Sequence, residues 1–220
     1  MRWLTLAERA ASYARVFPDR PELQLVREAG ECVLYGTWVG GNDYRNESTF
    51  YGSYPPGYLD RVMALYPDVA TDTAALERST SVVEKHWPIL HAFSGSLPRG
   101  PYTRLDVRSE PAPGIRPDVV ASVYDVAAQV LPWRSPFDLV LADPPYSAAD
   151  AEKYETAGVD RRRAMAALAQ VTGVGRHLVW LDCCWPMHAK TDWRTVGRIS
   201  FIRSTNHRVR LISIFERRAA

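Results

Sequence analysis

The sequence predicts an α/β protein built on a mostly parallel β-sheet that ends in a C-terminal antiparallel β-hairpin. From residue 88 onward, short apolar runs alternate with turn residues and helix-length stretches, which is typical of a sheet with crossover helices. The last two apolar runs are separated by Ser204-Thr205-Asn206-His207, as in a hairpin. With 220 residues, of which 46% are hydrophobic and 24% charged, the chain fits one domain, and we expect residues 1–220 to form it.

The part of the chain ahead of this sheet is predicted to be a helix followed by an irregular segment. Apolar residues recur through positions 1–17 at the spacing of an amphipathic helix, which Pro18 ends. Residues 18–55 are rich in Gly, Pro, Asn and Tyr, so we expect a loop region that could serve as a recognition element. Two further helices are expected at about 56–65 and 72–85.

Residues 88–216 are expected to form the sheet and its crossover helices. The apolar runs predict strands at 89–93, 102–107, 118–122, 137–142, 177–182, 196–202 and 208–215. The segment 148–171 is the clearest helix, although Gly158 interrupts it. In open parallel sheets ligands bind beyond the carboxyl ends of the strands, so the loops at those ends are the candidates for function.

Composition narrows the possible partners without identifying one. The formal net charge is +2, from 27 Lys and Arg against 25 Asp and Glu, so any nucleic-acid surface must be a local patch. The three cysteines form no even-numbered disulfide framework, and we expect a reducing, cytoplasmic setting. Because the sequence has no run of about 18 apolar residues, we expect neither a membrane span nor a signal peptide.

The strongest chemical signal is an apolar strand that runs directly into the tetrapeptide Asp143-Pro144-Pro145-Tyr146. This stretch resembles the fourth conserved motif of the amino-methyltransferases, which use S-adenosylmethionine to methylate adenine or cytosine amino groups, and less often guanine or a protein amide. The resemblance covers roughly residues 37–216 and implies a Rossmann-like class I methyltransferase fold. Asp as the first residue, rather than Ser or Asn, favours adenine in DNA as the substrate.

The tetrapeptide also suits this chemistry on physical grounds. The lone pair of an adenine amino group is delocalised into the ring, so a catalyst must favour the pyramidal form of the nitrogen. Asp143 offers a carboxylate to one N–H, while Pro144 and Pro145 stiffen the backbone and aim a main-chain carbonyl at the other. Tyr146 offers a flat face on which an extruded base can stack. We predict that these four residues are catalytic; the alternative is a turn that merely ends a strand.

A small-residue loop, Phe93-Ser94-Gly95-Ser96, follows the first strand of the predicted sheet. It resembles the first motif of the same family, Phe-x-Gly-x-Gly, in which small residues let the backbone approach the methionine part of the cofactor. Ser96-Leu97 stands where the second glycine is expected, and a simple turn at a strand end is the alternative. The resemblance predicts that these four residues, together with Asp143, bind the cofactor.

Two acids follow the next two strands. Asp106 lies near the end of strand 102–107, where a carboxylate can accept hydrogen bonds from both ribose hydroxyls of the cofactor. Asp125 comes shortly after strand 118–122, and the resemblance implies that it accepts from the adenine amino group of the cofactor. Alternatively, Asp125 is the N-cap of a helix at 126–131, a role that Asp often fills.

An aromatic-rich stretch at residues 49–56 resembles the tenth motif of the family, which lies beside the methionine carboxylate of the cofactor. Such a stretch ahead of a helix N-terminus suits the wall of an anion-binding site. A packed loop rich in Gly and Tyr is equally compatible with the residues. The cofactor-binding candidates here are Tyr51, Gly52, Ser53 and Tyr54.

Several basic residues near the predicted active-site face are candidates for nucleic-acid contact, because Arg and Lys side chains hold phosphates. For each cluster, a solvated helix face or hairpin rim is the alternative. The candidates are Arg161 with Arg162 and Arg163, Lys190 with Trp193 and Arg194, and the hairpin residues Arg203, His207, Arg208 and Arg210. The segment 183–188 contains two cysteines and a histidine but matches no zinc pattern, so no metal is expected.

The preferred hypothesis is methylation of the adenine amino group in DNA, as in small enzymes of restriction and modification. Only about 50 residues separate the glycine loop from the tetrapeptide, so target recognition must lie in residues 18–55, in the loop after Tyr146 or in a partner subunit, which could be a second copy. One alternative keeps the chemistry and changes the polymer to structured RNA, with adenine or guanine as the target. Another is an inactive, cofactor-binding subunit, although such subunits tend to lose the tetrapeptide that is intact here.

Overall fold

The computed structural model describes residues 2–40, 54–69, 87–132, 136–153, 156–203 and 209–219. Nine strands form one sheet within these residues, and helices pack on both of its faces. The strands are β1 Gln24–Glu28, β2 Glu31–Gly40, β3 Ile89–Ala92, β4 Thr103–Asp106, β5 Val119–Val120, β6 Phe137–Ala142, β7 Thr172–Asp182, β8 Trp193–Arg203 and β9 Val209–Arg217. The α-helices are α1 Leu6–Val16, α2 Tyr58–Leu65, α3 Val126–Val130, α4 Ala148–Lys153 and α5 Arg161–Val171, and a 3₁₀ turn, Val123–Asp125, precedes α3.

The strand order across the sheet is β1-β2-β8-β9-β7-β6-β3-β4-β5. The strands from β5 to β7 run parallel, whereas β9 lies antiparallel between β7 and β8. The predicted Rossmann-like sheet, mostly parallel with a C-terminal antiparallel hairpin, is confirmed.

The order of the parallel strands reverses between β3 and β6. From β3 the chain moves outward through β4 to β5, and it then returns to lay β6 on the other side of β3. Ala92 and Ala142, the last residues of β3 and β6, are paired across the sheet. The loops that follow them, with Phe93 and Asp143, therefore start side by side at a topological switch point, where open α/β sheets bind ligands.

The two faces of the sheet carry separate apolar clusters. Tyr13 of α1 and Tyr58 of α2 pack with Trp38 and Phe201 on one face. The other face is covered by α3 and α5, with Leu168, Trp180 and Phe215 among the buried residues. Strands β3 and β6 are buried almost throughout, which explains why each is apolar in sequence except at one position, His91 and Asp138 respectively.

The prediction that residues 18–55 are irregular is wrong for part of that segment. Strands β1 and β2 form an antiparallel hairpin there, and β2 extends the sheet by pairing with β8. The two residues between them, Ala29 and Gly30, have φ angles of 48° and 85°, which suits a tight hairpin turn. Residues 41–53, including the remainder of the proposed recognition segment, lie outside the described part of the chain.

The single helix predicted at 148–171 is two helices, α4 and α5. Asp160 caps the second helix, since its side chain accepts a hydrogen bond from the backbone N–H of Arg163. The predicted helix at 72–85 and the predicted turn at 204–207 lie outside the described residues. None of the described helices is long and apolar enough to span a bilayer.

Candidate active site

A cleft opens at the carboxyl ends of β3, β4, β5 and β6. It contains about 950 Å³ of empty space, part of it open to solvent. The sequence predictions meet in this cleft, because two residues of the first-motif loop, the acid at the end of β4 and the whole tetrapeptide line it. The predicted residues in its wall are Phe93, Gly95, Asp106, Asp143, Pro144, Pro145 and Tyr146.

Asp143 directly follows the last residue of β6 and is hydrogen bonded to Tyr146, whose hydroxyl donates to Oδ1 over 2.5 Å. Burial raises the pKa of Asp143 from 3.8 to about 7. The hydrogen bond from Tyr146 and the positive charge of Arg210 oppose this rise, and the negative charge of Asp182 adds to it. The carboxyl group therefore changes charge near neutral pH, where a small change in its surroundings has the largest effect on its ionised fraction.

Tyr146 lies between Asp143 and Arg210. The guanidinium carbon of Arg210 is 4.8 Å from the centroid of the Tyr146 ring, a cation–π distance. Burial, followed by the negative charge of Asp143, holds the pKa of Tyr146 well above its usual value. Tyr146 is therefore neutral over the physiological range and acts as a hydrogen-bond donor.

The backbone after the two prolines is held by Arg161, the first residue of α5. Its Nη2 donates to the main-chain oxygen of Tyr146 over 3.0 Å, and the guanidinium also bonds the carboxylate of Asp182. Arg161, which the sequence analysis proposed as a nucleic-acid contact, thus has its guanidinium engaged inside the protein. Its position suits a structural support for the Asp-Pro-Pro-Tyr tetrapeptide rather than a phosphate ligand.

The carboxylate of Asp182 is fully buried at the end of β7 and accepts hydrogen bonds from three residues. Besides Arg161, these are the indole N–H of Trp180 and the backbone N–H of Cys183. Possible metal-ligand atoms of Asp182, Cys183 and Cys184 lie within 4.8 Å of one another. Because both carboxylate oxygens already accept hydrogen bonds from these donors, the two exposed thiols are the main ligands that the cluster has left for a cation.

The loop after β3 contains two residues in the left-handed region. Phe93 has a φ angle of 61° and Gly95 one of 52°, and a non-glycine residue in this region is uncommon. Between them, Ser94 is 2% exposed, and its Oγ has no hydrogen-bond partner among the described residues. Of the four residues predicted here to bind the cofactor, Phe93 and Gly95 line the cleft, whereas Ser94 and Ser96 are not part of its wall.

Asp106 braces this loop as well as facing the cleft. Its Oδ2 accepts from the backbone N–H of Gly95 over 2.8 Å, and its Oδ1 accepts from the backbone N–H and the Nε of Arg108. A carboxylate has about four acceptor positions, so about one remains for a ligand. In this arrangement Asp106 can accept a hydrogen bond from only one ribose hydroxyl. The sequence analysis expected it to accept from both.

Asp125 and Tyr54 lie outside the cleft wall. Asp125 is exposed and is the N-cap residue of α3, as the alternative held, although its side chain makes no capping hydrogen bond. The wall after β5 is formed instead by residues 121–124. Tyr54 hydrogen bonds Nδ1 of His91 over 3.1 Å and stacks on Tyr58. The other tenth-motif candidates, Tyr51, Gly52 and Ser53, lie outside the described residues.

The remaining nucleic-acid candidates are not brought together by the described structure. Lys190 is exposed in the loop after β7, and Arg203 is the last residue of β8. His207 and Arg208 lie outside the described residues. Their role in nucleic-acid contact stays a prediction.

Arg210 is the main site residue whose place the sequence analysis missed, since it was proposed only as a nucleic-acid contact on the hairpin. It belongs to β9 and lines the cleft. Ile212 and Ile214, two and four residues further along the strand, are buried. Residues two apart on a strand share a face, so Arg210 shares the buried face of these two. Arg108, Tyr124 and residues 156–159 also line the cleft without having been predicted.

Comparisons with known proteins give little beyond the fold. No family model and no curated protein matches the chain. Among solved structures, the N-methyltransferase NodS from Bradyrhizobium japonicum is 14% identical over 70% of this chain and 97% of its own, with a TM-score of 0.38. TrmN from Thermus thermophilus is 14% identical over 69% of this chain and 52% of its own, with a TM-score of 0.35. Likenesses this weak carry no argument about activity, so the functional argument depends on the cleft itself.

Proposed function

We propose that this protein transfers a methyl group from S-adenosylmethionine to the exocyclic amino group of adenine in DNA. The observation that carries the proposal is the convergence of Asp143 and Tyr146 with Gly95 and Asp106 on one cleft at the switch point of the sheet. These residues come from three separate stretches of the sequence, two of them chosen for motifs of the same family and Asp106 for its position near the end of a strand. A chance turn at the end of one strand would not require the other two stretches to share its cleft.

Asp143 and the rigid backbone beside it are suited to activating an amine. In its ionised form the carboxylate accepts an N–H of the target amino group, and a main-chain carbonyl of the Asp-Pro-Pro segment accepts the other. Fixed acceptors of this kind stabilise the charge that develops on nitrogen without having to reorganise. Tyr146 donates to Oδ1 of the Asp143 carboxylate over 2.5 Å, so an incoming amine that binds this oxygen competes with the Tyr146 hydroxyl.

The residues at the other end of the cleft fit the cofactor. The left-handed turn at Gly95 brings bare backbone to the cleft, and the buried Ser94 Oγ is an unused polar atom in the same loop. Asp106 retains an acceptor position for a ribose hydroxyl. When bound, S-adenosylmethionine supplies an electrophilic methyl group, and the protein contributes by holding the reacting atoms in line.

The choice of adenine in DNA depends on the resemblance of the tetrapeptide, with Asp in its first position. The test is to incubate the purified protein with S-adenosylmethionine labelled on its methyl group and either unmethylated genomic DNA or total RNA. We expect labelled N6-methyladenine in the DNA digest and no label with the Asp143→Asn variant. Label in RNA alone would overturn the choice of polymer, and equal label with Asp143→Asn would overturn the proposed chemistry.

A further inference from the structure

Arg210 enters the cleft from the antiparallel strand of the sheet. Because β9 runs against β7, its first residues lie at the edge where the parallel strands end, and Leu211 pairs with Asp182 there. Arg210 pairs with Phe201 of β8, and Phe201 is fully buried on the face of the sheet covered by α1 and α2. The strand thus directs a cation from this face of the sheet to the wall of the cleft.

Two observations connect Arg210 to the catalytic tetrapeptide. Its guanidinium carbon is 4.8 Å from the Tyr146 ring centroid, which places a planar cation against that ring. Its positive charge also acts on Asp143, in opposition to the effect of burial. The hydroxyl of Tyr146 in turn donates to Asp143, so the three side chains form a connected Arg210–Tyr146–Asp143 triad.

We propose that Arg210 is a positioning residue of this site, which orients the Tyr146 ring and favours the ionised form of the Asp143 carboxylate around neutral pH. The inference rests on the proposed function and adds to it the residue that sets the lower pH limit of the reaction. Without this cation, Asp143 would be protonated over more of the neutral range, and a protonated carboxyl offers one acceptor fewer to an amine.

The other groups that act on Asp143 do not replace Arg210. Asp182 on β7 is negative and disfavours ionisation of Asp143. The cation next to Asp182, Arg161, is paired with it and largely neutralises it. Tyr54 and Tyr58 approach from the α2 side, and burial keeps both phenols neutral by raising their pKa. Tyr146 donates a hydrogen bond but carries no charge.

The experiment is a carbon-13 NMR titration of the Asp143 carboxyl group, assigned with Asp143→Asn, in the protein without substrate. We expect a midpoint near 7 in the native protein, a higher midpoint in Arg210→Gln and a midpoint close to native in Arg210→Lys. The matched control is Arg162→Gln, which removes an exposed arginine of α5 and should leave the midpoint unchanged. Circular dichroism establishes that each variant is folded, and Arg210→Met replaces Arg210→Gln if the latter is not.

An unchanged Asp143 midpoint in folded Arg210→Gln, or an equal shift in Arg162→Gln, would overturn the inference. The titration needs no methyl transfer, so its outcome is separate from that of the proposed function. If the native protein methylates DNA, the acid limb of the pH profile of kcat/KM should move to higher pH in Arg210→Gln. In Arg210→Lys it should lie close to its position in the native protein. If the native protein is inactive while the Asp143 midpoint moves as expected, the proposed function fails and the role of Arg210 in ionising Asp143 stands.

Discussion

Arg161 and Asp182 form a two-point ion pair, with Nε 2.7 Å from Oδ2 and Nη2 3.1 Å from Oδ1. The two side chains differ in burial, since Arg161 is 27% exposed whereas Asp182 is completely buried. Arg161 also donates to the main-chain oxygen of Tyr146. The pair therefore connects the start of α5 and the end of β7 to the backbone of the Asp-Pro-Pro-Tyr tetrapeptide.

The difference in burial predicts unequal costs for removing the two partners. Arg161→Met leaves a buried carboxylate without its cation and should lower the free energy of unfolding by about 3–5 kcal/mol. Asp182→Asn should cost less, because the partly exposed guanidinium can reach water. Urea denaturation of both variants measures the difference, and the double variant should recover much of the loss caused by Arg161→Met. A double variant no more stable than Arg161→Met would show that the uncompensated charge is not the cause.

Conservative replacement of Arg161 should separate its positioning role from simple destabilisation. Lys keeps the positive charge but cannot supply the two-pronged donor that reaches both Asp182 and the Tyr146 carbonyl. We expect Arg161→Lys to lower kcat by roughly tenfold, which corresponds to about 1.4 kcal/mol, while S-adenosylhomocysteine binding changes much less. Calorimetry alongside steady-state kinetics checks this expectation. Equal losses in cofactor affinity and in kcat would indicate a general distortion of the cleft.

Replacement of Asp143 should abolish turnover and at the same time stabilise the fold. The folded-state pKa of Asp143, about 7, lies above its ordinary value of 3.8, so stability falls as pH rises through this window. Asp143→Asn removes the buried charge, and its melting temperature should exceed that of the native protein at pH 8. The shift of about three pKa units corresponds to about 4 kcal/mol, and one kcal/mol to about 2–4 °C, so the gain should be on the order of 10 °C.

At pH 4 most of that gain should disappear, because the carboxyl group is then protonated in the folded state and only about half ionised in the unfolded state. Differential scanning calorimetry of the two proteins at both pH values tests this sign. A stabilisation that is the same at pH 4 and pH 8 would show that charge burial is not its origin. The same variant should retain S-adenosylhomocysteine binding while losing methyl transfer, since Asp143 acts on the amine.

Much of the sheet and the edge that forms the cleft could be predicted because β3 and β6 have almost no exposed surface. Ile89–Ala92 and Phe137–Ala142 are buried on both sides and are apolar apart from His91 and Asp138, so the residues that follow each run were easy to place. The hairpin β1–β2 was missed because all five residues of β1 are exposed, and three of them are polar or charged. Its turn also uses Ala29 rather than the Asn or Asp that favours φ angles above zero.

The partners of individual charged side chains could not be predicted, because they are set by contacts between distant parts of the chain. The sequence suggested the same role, contact with nucleic acid, for Arg161 and Arg210. The structure instead places Arg161 against a buried acid and Arg210 against an aromatic ring of the cleft. The same holds for Asp106. Its place at the end of β4 was predictable, but its hydrogen bond with the Gly95 N–H depends on where the neighbouring loop folds.

Two substitutions of Tyr146 should separate its ring from its hydroxyl. Tyr146→Phe keeps the ring but removes the hydrogen bond that lowers the pKa of Asp143. The acid limb of the activity profile should therefore move to higher pH, with rates at high pH close to native. Tyr146→Ala also removes the stacking surface, worth about 1–3 kcal/mol per base, and should raise KM for DNA roughly 5- to 150-fold. An Ala variant with native KM would show that no base stacks on this ring.

Asp106 and Asp125 provide a matched pair of acids for testing which one holds the cofactor. Asp106 lines the cleft and accepts the Gly95 N–H, whereas Asp125 is exposed outside the cleft wall. Loss of a charge-assisted hydrogen bond costs about 1.5–3 kcal/mol, so Asp106→Asn should weaken S-adenosylhomocysteine binding roughly 10- to 150-fold by calorimetry. Asp125→Asn should leave the affinity within about twofold, because no wall of the cleft depends on its side chain. If Asp125→Asn weakened binding as much as Asp106→Asn, the cofactor would have to extend beyond the cleft to the start of α3, as the family resemblance implied.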